Sequence, residues 1–192
     1  MWYVIQVLKG REDAMAELIA RLVPADVAHE VFNPKYATEA KVRGRWVPCE
    51  RDLFPGYIIV ATDDPLAVEQ RLLALEEFAR VLRQGDEFVP LEREEVELIG
   101  GFTEQGRRVV PMSRAVKQGD AVVVTEGPLV GREALITSVN RHKSMATLEV
   151  DFCGRKVSTR VGLAVVSAPE AAPAKRAALY TREGRMFIPF VL

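Results

Sequence analysis

Histidine and cysteine are scarce, with two of each among 192 residues, and their positions exclude several chemistries. Cys49 and Cys153 fall in different predicted modules, so no disulfide framework is expected and a reducing cytoplasm suits the protein. Together with His29 and His142 they lack the spacing of a metal site. Two histidines, one of them in a basic turn, give no Ser-His-acid triad. A Gly-x-x-x-x-Gly-Lys-Ser/Thr phosphate loop is missing. No apolar run nears the ~20 residues that a membrane helix needs. The N-terminus opens as an alternating strand rather than a charged segment before an apolar core, so no signal peptide is expected. The expectation is a cytoplasmic, soluble protein that is not an enzyme, with no cofactor, no metal and no membrane partner.

Net charge is also small, at −1. Its distribution says more than its sum. Residues 1–110 hold 14 basic and 20 acidic side chains, residues 111–168 hold 8 and 5, and residues 169–192 hold 4 and 2. An acidic front and a basic back suggest different partners for the two parts.

Residues 2–7 have strong β content. From Gly10 the pattern turns helical, with Ala14, Leu18, Ile19, Leu22 and Val23 on one spacing, acidic residues in the first turn and Pro24 at the end. Residues 30–37 and 45–49 read as strands around a turn at Arg43-Gly44, whose tip carries Lys41, Arg43 and Arg45. The apolar run Tyr57–Ala61 reads as a buried central strand. Asp64-Pro65 supplies an N-cap and a first-turn proline for a helix through Leu75. A strand over 78–82 and an acidic helix over 92–99 complete the unit. The pattern fits an α+β fold, an antiparallel sheet with helices.

Residues 103–115 show no periodicity and read as a linker after a domain spanning 1–102. The segment 116–168 is strand-rich. Within it, Val122, Val123 and Val124 meet Gly127-Pro128, then Gly131, and a second alternating run starts at Arg132. Two short strands joined by a glycine-punctuated loop open a small five-stranded barrel, with further turns at 140–143 and Cys153-Gly154. Such a module displays loops to a partner and points to binding rather than catalysis. Residues 169–192, rich in Ala and Pro at first and apolar from Met186 to Leu192, read as a flexible tail.

Two separated motifs carry a family resemblance. Trp2-Tyr3-Val4, a helix, and Leu53-Phe54-Pro55-Gly56-Tyr57 before an apolar strand resemble the NGN domain of NusG/Spt5-like transcription factors. Lys117-Gln118-Gly119-Asp120, Val124 to Pro128 and Val150 to Arg155 resemble the KOW domain, an SH3-like barrel. Within the family the segment 85–91, the basic turn Asn140 to Lys143 and the closing run 161–166 resemble the specialised antitermination paralogues of the LoaP type.

The resemblance implies an elongation and antitermination factor whose NGN domain sits on the clamp helices of the RNA polymerase largest subunit and suppresses pausing. Trp2, Phe32, Phe54, Pro55, Gly56 and Tyr57 are the candidates for that contact, lining an exposed apolar depression. For the barrel, LoaP-like behaviour implies a nascent RNA hairpin as partner. Arg141, His142 and Lys143 share one turn, and Arg132, Arg155, Lys156 and Arg160 are candidates for the adjacent surface. Contact with about four phosphates predicts a log–log salt slope near −3 to −4. The alternative is a general factor coupling polymerase to ribosomal protein S10 or to Rho by protein contacts. A monomer is expected.

Overall fold

The computed structural model describes residues 1–103, 106–118, 121–167, 179–180 and 186–187. Its chain divides into two compact units that do not follow sequence order. The first comprises Met1–Lys35, Asp52–Arg108 and Asp151–Arg155, and the second Tyr36–Arg51, Val109–Val150 and Lys156–Leu192. The fold is mixed α+β.

The first unit is built on strands β1 (Trp2–Val7), β2 (Ala28–Phe32), β5 (Tyr57–Thr62) and β6 (Ala79–Val81), in the order β2-β5-β1-β6. β1 and β5 run antiparallel at its centre, with Val4 opposite Ile59. Ile58, Ile59 and Val60 are fully buried, as a continuous apolar run in a central strand should be. Helix α1 (Glu12–Leu22) packs Met15, Ala16 and Ile19 into the core, a one-face spacing for 3.6 residues per turn. α2 (Pro65–Leu72) adds Val68 and Leu72. Each fully buried Ile or Leu contributes about 1.5–3 kcal/mol, so this cluster is the unit's main source of stability.

Local chemistry sets most helix ends. Asp64 caps α2 by accepting from the Ala67 amide at 2.9 Å, and Pro65 follows it. The helix stops at Leu72, three residues earlier than its apolar pattern suggests. Helix α3 (Arg93–Phe102) starts with a capping box in which Glu92 accepts from the third-residue amide and Glu95 reaches back to the Glu92 amide. It runs on through Gly100-Gly101, and Phe102 is buried beyond the expected end at Ile99. Between β6 and α3 lies a small hairpin of β7 (Arg83–Gln84) and β8 (Glu87–Phe88), turning at Gly85.

The expected strand over 30–37 is two strands. β2 ends at Phe32, and β3 (Lys35–Val42) starts after Asn33-Pro34, where proline has no amide to donate. Pro34 still serves as an acceptor, its carbonyl taking the Leu53 amide at 2.7 Å. β3 pairs with β4 (Arg45–Asp52) and with β9 (Val109–Val110). Arg43 and Gly44 both have positive φ, 48° and 83°, as a two-residue hairpin turn requires.

The second unit carries a five-stranded sheet in the order β11-β10-β14-β13-β12, from β10 (Ser113–Gln118), β11 (Ala121–Glu126), β12 (Ile136–Asn140), β13 (Met145–Phe152) and β14 (Arg155–Ser167). β9 and the start of β10 fall within the stretch read from sequence as linker. The loop after β11 depends on Gly127, at φ 95°, where a Cβ would lie 2.7 Å from the Ser113 Cα. The Ser113 hydroxyl accepts the Leu129 amide at 3.2 Å and fixes the loop. The run beginning at Arg132 is not yet strand. Glu133–Leu135 form a 3-10 turn with Glu133 buried, and β12 starts only at Ile136.

Leu179–Tyr180 and Met186–Phe187 pair antiparallel. The rest of the expected tail, 169–178, 181–185 and 188–192, lies outside the described residues.

Candidate functional site

The Leu53–Tyr57 turn is anchored from below by a carboxylate. Glu12, 2% exposed on the first turn of α1, accepts the Gly56 amide at 2.7 Å through Oε1. Gly56 has φ 91°, and its carbonyl takes the Val7 amide at 2.9 Å, which ties the turn to β1. Beside it the Asn33 side-chain amide donates to Asp13 at 2.9 Å and to Asp52 at 2.7 Å. This bracing leaves Pro55 exposed and Tyr57 half-buried, while Phe54 and Phe32 are buried.

The ring contacts of this unit fall into two groups. Phe54 stacks on Phe152, and Tyr57 meets the same ring edge-on with centroids 5.9 Å apart. Arg155 donates to the Tyr57 hydroxyl at 2.8 Å. Trp2 packs edge-to-face on Phe32 at 5.2 Å, and the Arg108 guanidinium lies 5.0 Å and 4.8 Å from the two ring centroids. Glu30 holds that guanidinium in a two-bond fork of 2.9 Å and 2.6 Å. The six aromatic and turn residues expected to share one depression thus lie in two groups, Trp2 with Phe32 and Phe54 to Tyr57.

In the second unit Arg141–Lys143 form one 3-10 turn between β12 and β13. Asn140 caps it, its side chain accepting the Lys143 amide at 3.1 Å, and Ser144 closes it in the left-handed region at φ 47°. All three side chains are exposed. His142 and Lys143 line a cleft of about 760 Å³ together with Arg160, Lys41, Trp46 and Arg51. The Tyr36 hydroxyl donates to the Met145 sulfur at 3.9 Å at the same place.

The remaining expected cations are elsewhere. Arg132 donates to the Pro128 carbonyl at 3.2 Å, and Lys156 lies 3.9 Å from Glu149. Arg155 belongs to the first unit and is engaged with Tyr57. Sequence reasoning noted the basic hairpin tip but gave it no role. Lys41, Trp46 and Arg51 join His142 and Lys143 only through tertiary packing. The available signal was a tryptophan set among basic residues, Arg45-Trp46 and Arg51.

Cys153 is half-buried at the Cys153-Gly154 turn, both residues having positive φ. Burial first, and then the buried Glu95 carboxylate, raise its thiol to about 11, with Arg155 opposing them. Glu95 also accepts the Gly154 amide at 3.3 Å. Among the described residues no group of three or more His, Cys, Asp or Glu is placed to hold a metal ion, and no helix is long and apolar enough to cross a membrane.

A helix-backed antiparallel sheet and a five-stranded barrel-type sheet in one chain define a two-module α+β protein. The chain belongs to the NusG family of transcription termination and antitermination factors. The family model described as "Transcription termination factor nusG" matches residues 1–100, and that of the KOW motif matches residues 118–151. The chain is 24% identical to the transcription termination/antitermination protein NusG of Campylobacter jejuni, covering 83% of this chain and 92% of that one. It is 29% identical to the protein of the same name from Lactococcus lactis, covering 80% and 85%. A solved structure of Thermotoga maritima NusG is also similar, at 19% identity over 85% of this chain and 92% of that one, with a TM-score of 0.47.

Proposed function

We propose that the chain is an elongation and antitermination factor that docks on the RNA polymerase clamp helices through its N-terminal unit and holds nascent RNA through its barrel. The observation that carries the first half is the Glu12-anchored turn, which presents Pro55 and Tyr57 on a rigid base. Rigid presentation lowers the ordering cost of binding. Support for the second half comes from Arg141, His142 and Lys143, exposed together on one capped turn beside Arg160. Such a cluster favours phosphate contacts, which are strongly salt-dependent. A LoaP-like specialisation, acting only where a particular leader RNA has been made, fits this arrangement.

A second reading is a general factor that couples polymerase to ribosomal protein S10 or to Rho. Similarity to the transcription termination/antitermination proteins NusG of Campylobacter jejuni and Lactococcus lactis favours it. In vitro transcription across a terminator separates the two. Read-through that rises only on templates with an upstream leader supports the specialised factor. Equal effects with and without a leader support the general one, and no effect on pausing or termination on any template overturns the proposal.

A further inference from the structure

We infer that the cleft between the β3–β4 hairpin and the Arg141–Lys143 turn is a binding site for an unpaired RNA nucleotide, a site that rests on the reading of this unit as RNA-binding and gives it a chemistry. Every residue lining the cleft belongs to the second compact unit. Its volume of about 760 Å³ is in the range of built ligand sites, roughly 300–1,000 Å³.

The lining has the three components that single-stranded nucleic acid needs. Trp46, 48% exposed, is an uncovered aromatic face on which a base can stack, and every base has such a face to offer in return. Lys41, Arg51, Lys143 and Arg160 surround it with positive charge, and none of the four has an ion-pair partner among the described residues. A phosphate is the complementary group. Thr38 adds a polar group to the lining: it is 3% exposed, and its hydroxyl has no hydrogen-bond partner among the described residues. Buried polar atoms in folded proteins are nearly always paired.

Glu39 distinguishes RNA from DNA. It is the single carboxylate in a basic lining, placed where a phosphate would be repelled. A ribose 2′-hydroxyl donates a hydrogen bond to such a group, and deoxyribose has none to give. A duplex, with its bases stacked inside, has no free face for Trp46.

The test uses the full-length protein and fluorescence anisotropy with three labelled probes: a short unstructured RNA, the same sequence as DNA, and a blunt RNA hairpin whose strands are joined by a non-nucleotide linker, so that it holds no unpaired base. The unstructured RNA should bind more tightly than its DNA counterpart, with a salt slope of about −2 for some three phosphates. Trp46→Ala should weaken it roughly tenfold or more, with Trp46→Phe restoring most of the affinity and hairpin binding unchanged. Glu39→Gln should narrow the RNA-to-DNA ratio while keeping RNA affinity. Equal binding of the DNA strand overturns the assignment to RNA. Binding of the hairpin alone, indifferent to Trp46→Ala, overturns this inference and leaves the RNA-binding reading standing. No affinity for any probe at low salt overturns both. Circular dichroism of each variant confirms folding, which an exposed Trp46 makes a mild demand.

Discussion

The ring of Phe54 lies stacked on that of Phe152, with centroids 4.0 Å apart and planes 15° from parallel. Both side chains are buried, at 4% and 1% exposure. A partner reaching for Phe54 therefore has to displace Phe152 first, at the cost of the stack and of the apolar area it covers. Any role of Phe54 in polymerase contact is thus set against the Phe152 pairing. Phe152→Ala should lose about 3 kcal/mol of stability in urea unfolding. If Phe54 belongs to the clamp contact, the same variant should bind isolated clamp helices more tightly in a titration, because the ring is already uncovered. A folded Phe152→Ala with unchanged or weaker clamp binding would remove Phe54 from the contact.

Glu12 is the support under the neighbouring turn, since its carboxylate takes the amide of a glycine at positive φ. Removing the acceptor leaves the Gly56 amide buried and unpaired, which costs about 1–3 kcal/mol. Glu12→Ala should therefore be destabilised by that amount, with Glu12→Gln intermediate because its amide oxygen still accepts. Polymerase affinity should fall more in Glu12→Ala than in a variant of equal stability altered in α2. Equal losses in both would show that the turn's geometry is irrelevant to binding.

Gly162 in β14 is required by a close approach rather than by a turn. A Cβ there would run into the Ala37 backbone carbonyl of β3 and lie 3.0 Å from the Met112 side chain. Backbone cannot step aside as a flexible side chain does. Gly162→Ala should lower stability by about 1–3 kcal/mol and loosen the β3–β4 hairpin, seen as faster amide exchange over 36–51. Unaltered exchange there would mean that the hairpin does not depend on this approach.

The same glycine shows why the site was only partly legible in the sequence. Asp64-Pro65, Arg43-Gly44 and the run Tyr57–Ala61 were readable because their chemistry is local: a cap, a turn, a buried strand. Nothing local marks Gly162 as the place where another strand crosses, so the hairpin's assignment to the second unit was invisible. Trp46 and His142 are 96 residues apart in the chain and meet only through that packing. Phe152 was legible only as part of the KOW-like motif Val150 to Arg155, and its pairing with Phe54 is equally non-local. Arg132 to Leu135 misled for a different reason, because the alternating run looks like a strand while Glu133 is buried in a 3-10 turn.

Cys153 gives a prediction in pH. Burial first, then the nearby Glu95 carboxylate, hold its thiol at about 11 in the folded protein, against an ordinary value of 9.0. The folded state thus favours the protonated thiol and binds that proton more tightly than the unfolded chain does. Its contribution to stability is complete below pH 9, declines as pH rises above 9, and is lost by about 11. Cys153→Ser should leave less of a decline in stability over that interval than the native protein shows, measured as urea midpoints at several pH values. Only the thiolate attacks an alkylating reagent, so iodoacetamide should modify Cys153 slowly near pH 8, with the rate climbing as pH approaches 11. Rapid modification at pH 8, mapped to Cys153 by mass spectrometry in the folded protein, would show that neither burial nor Glu95 suppresses the thiolate.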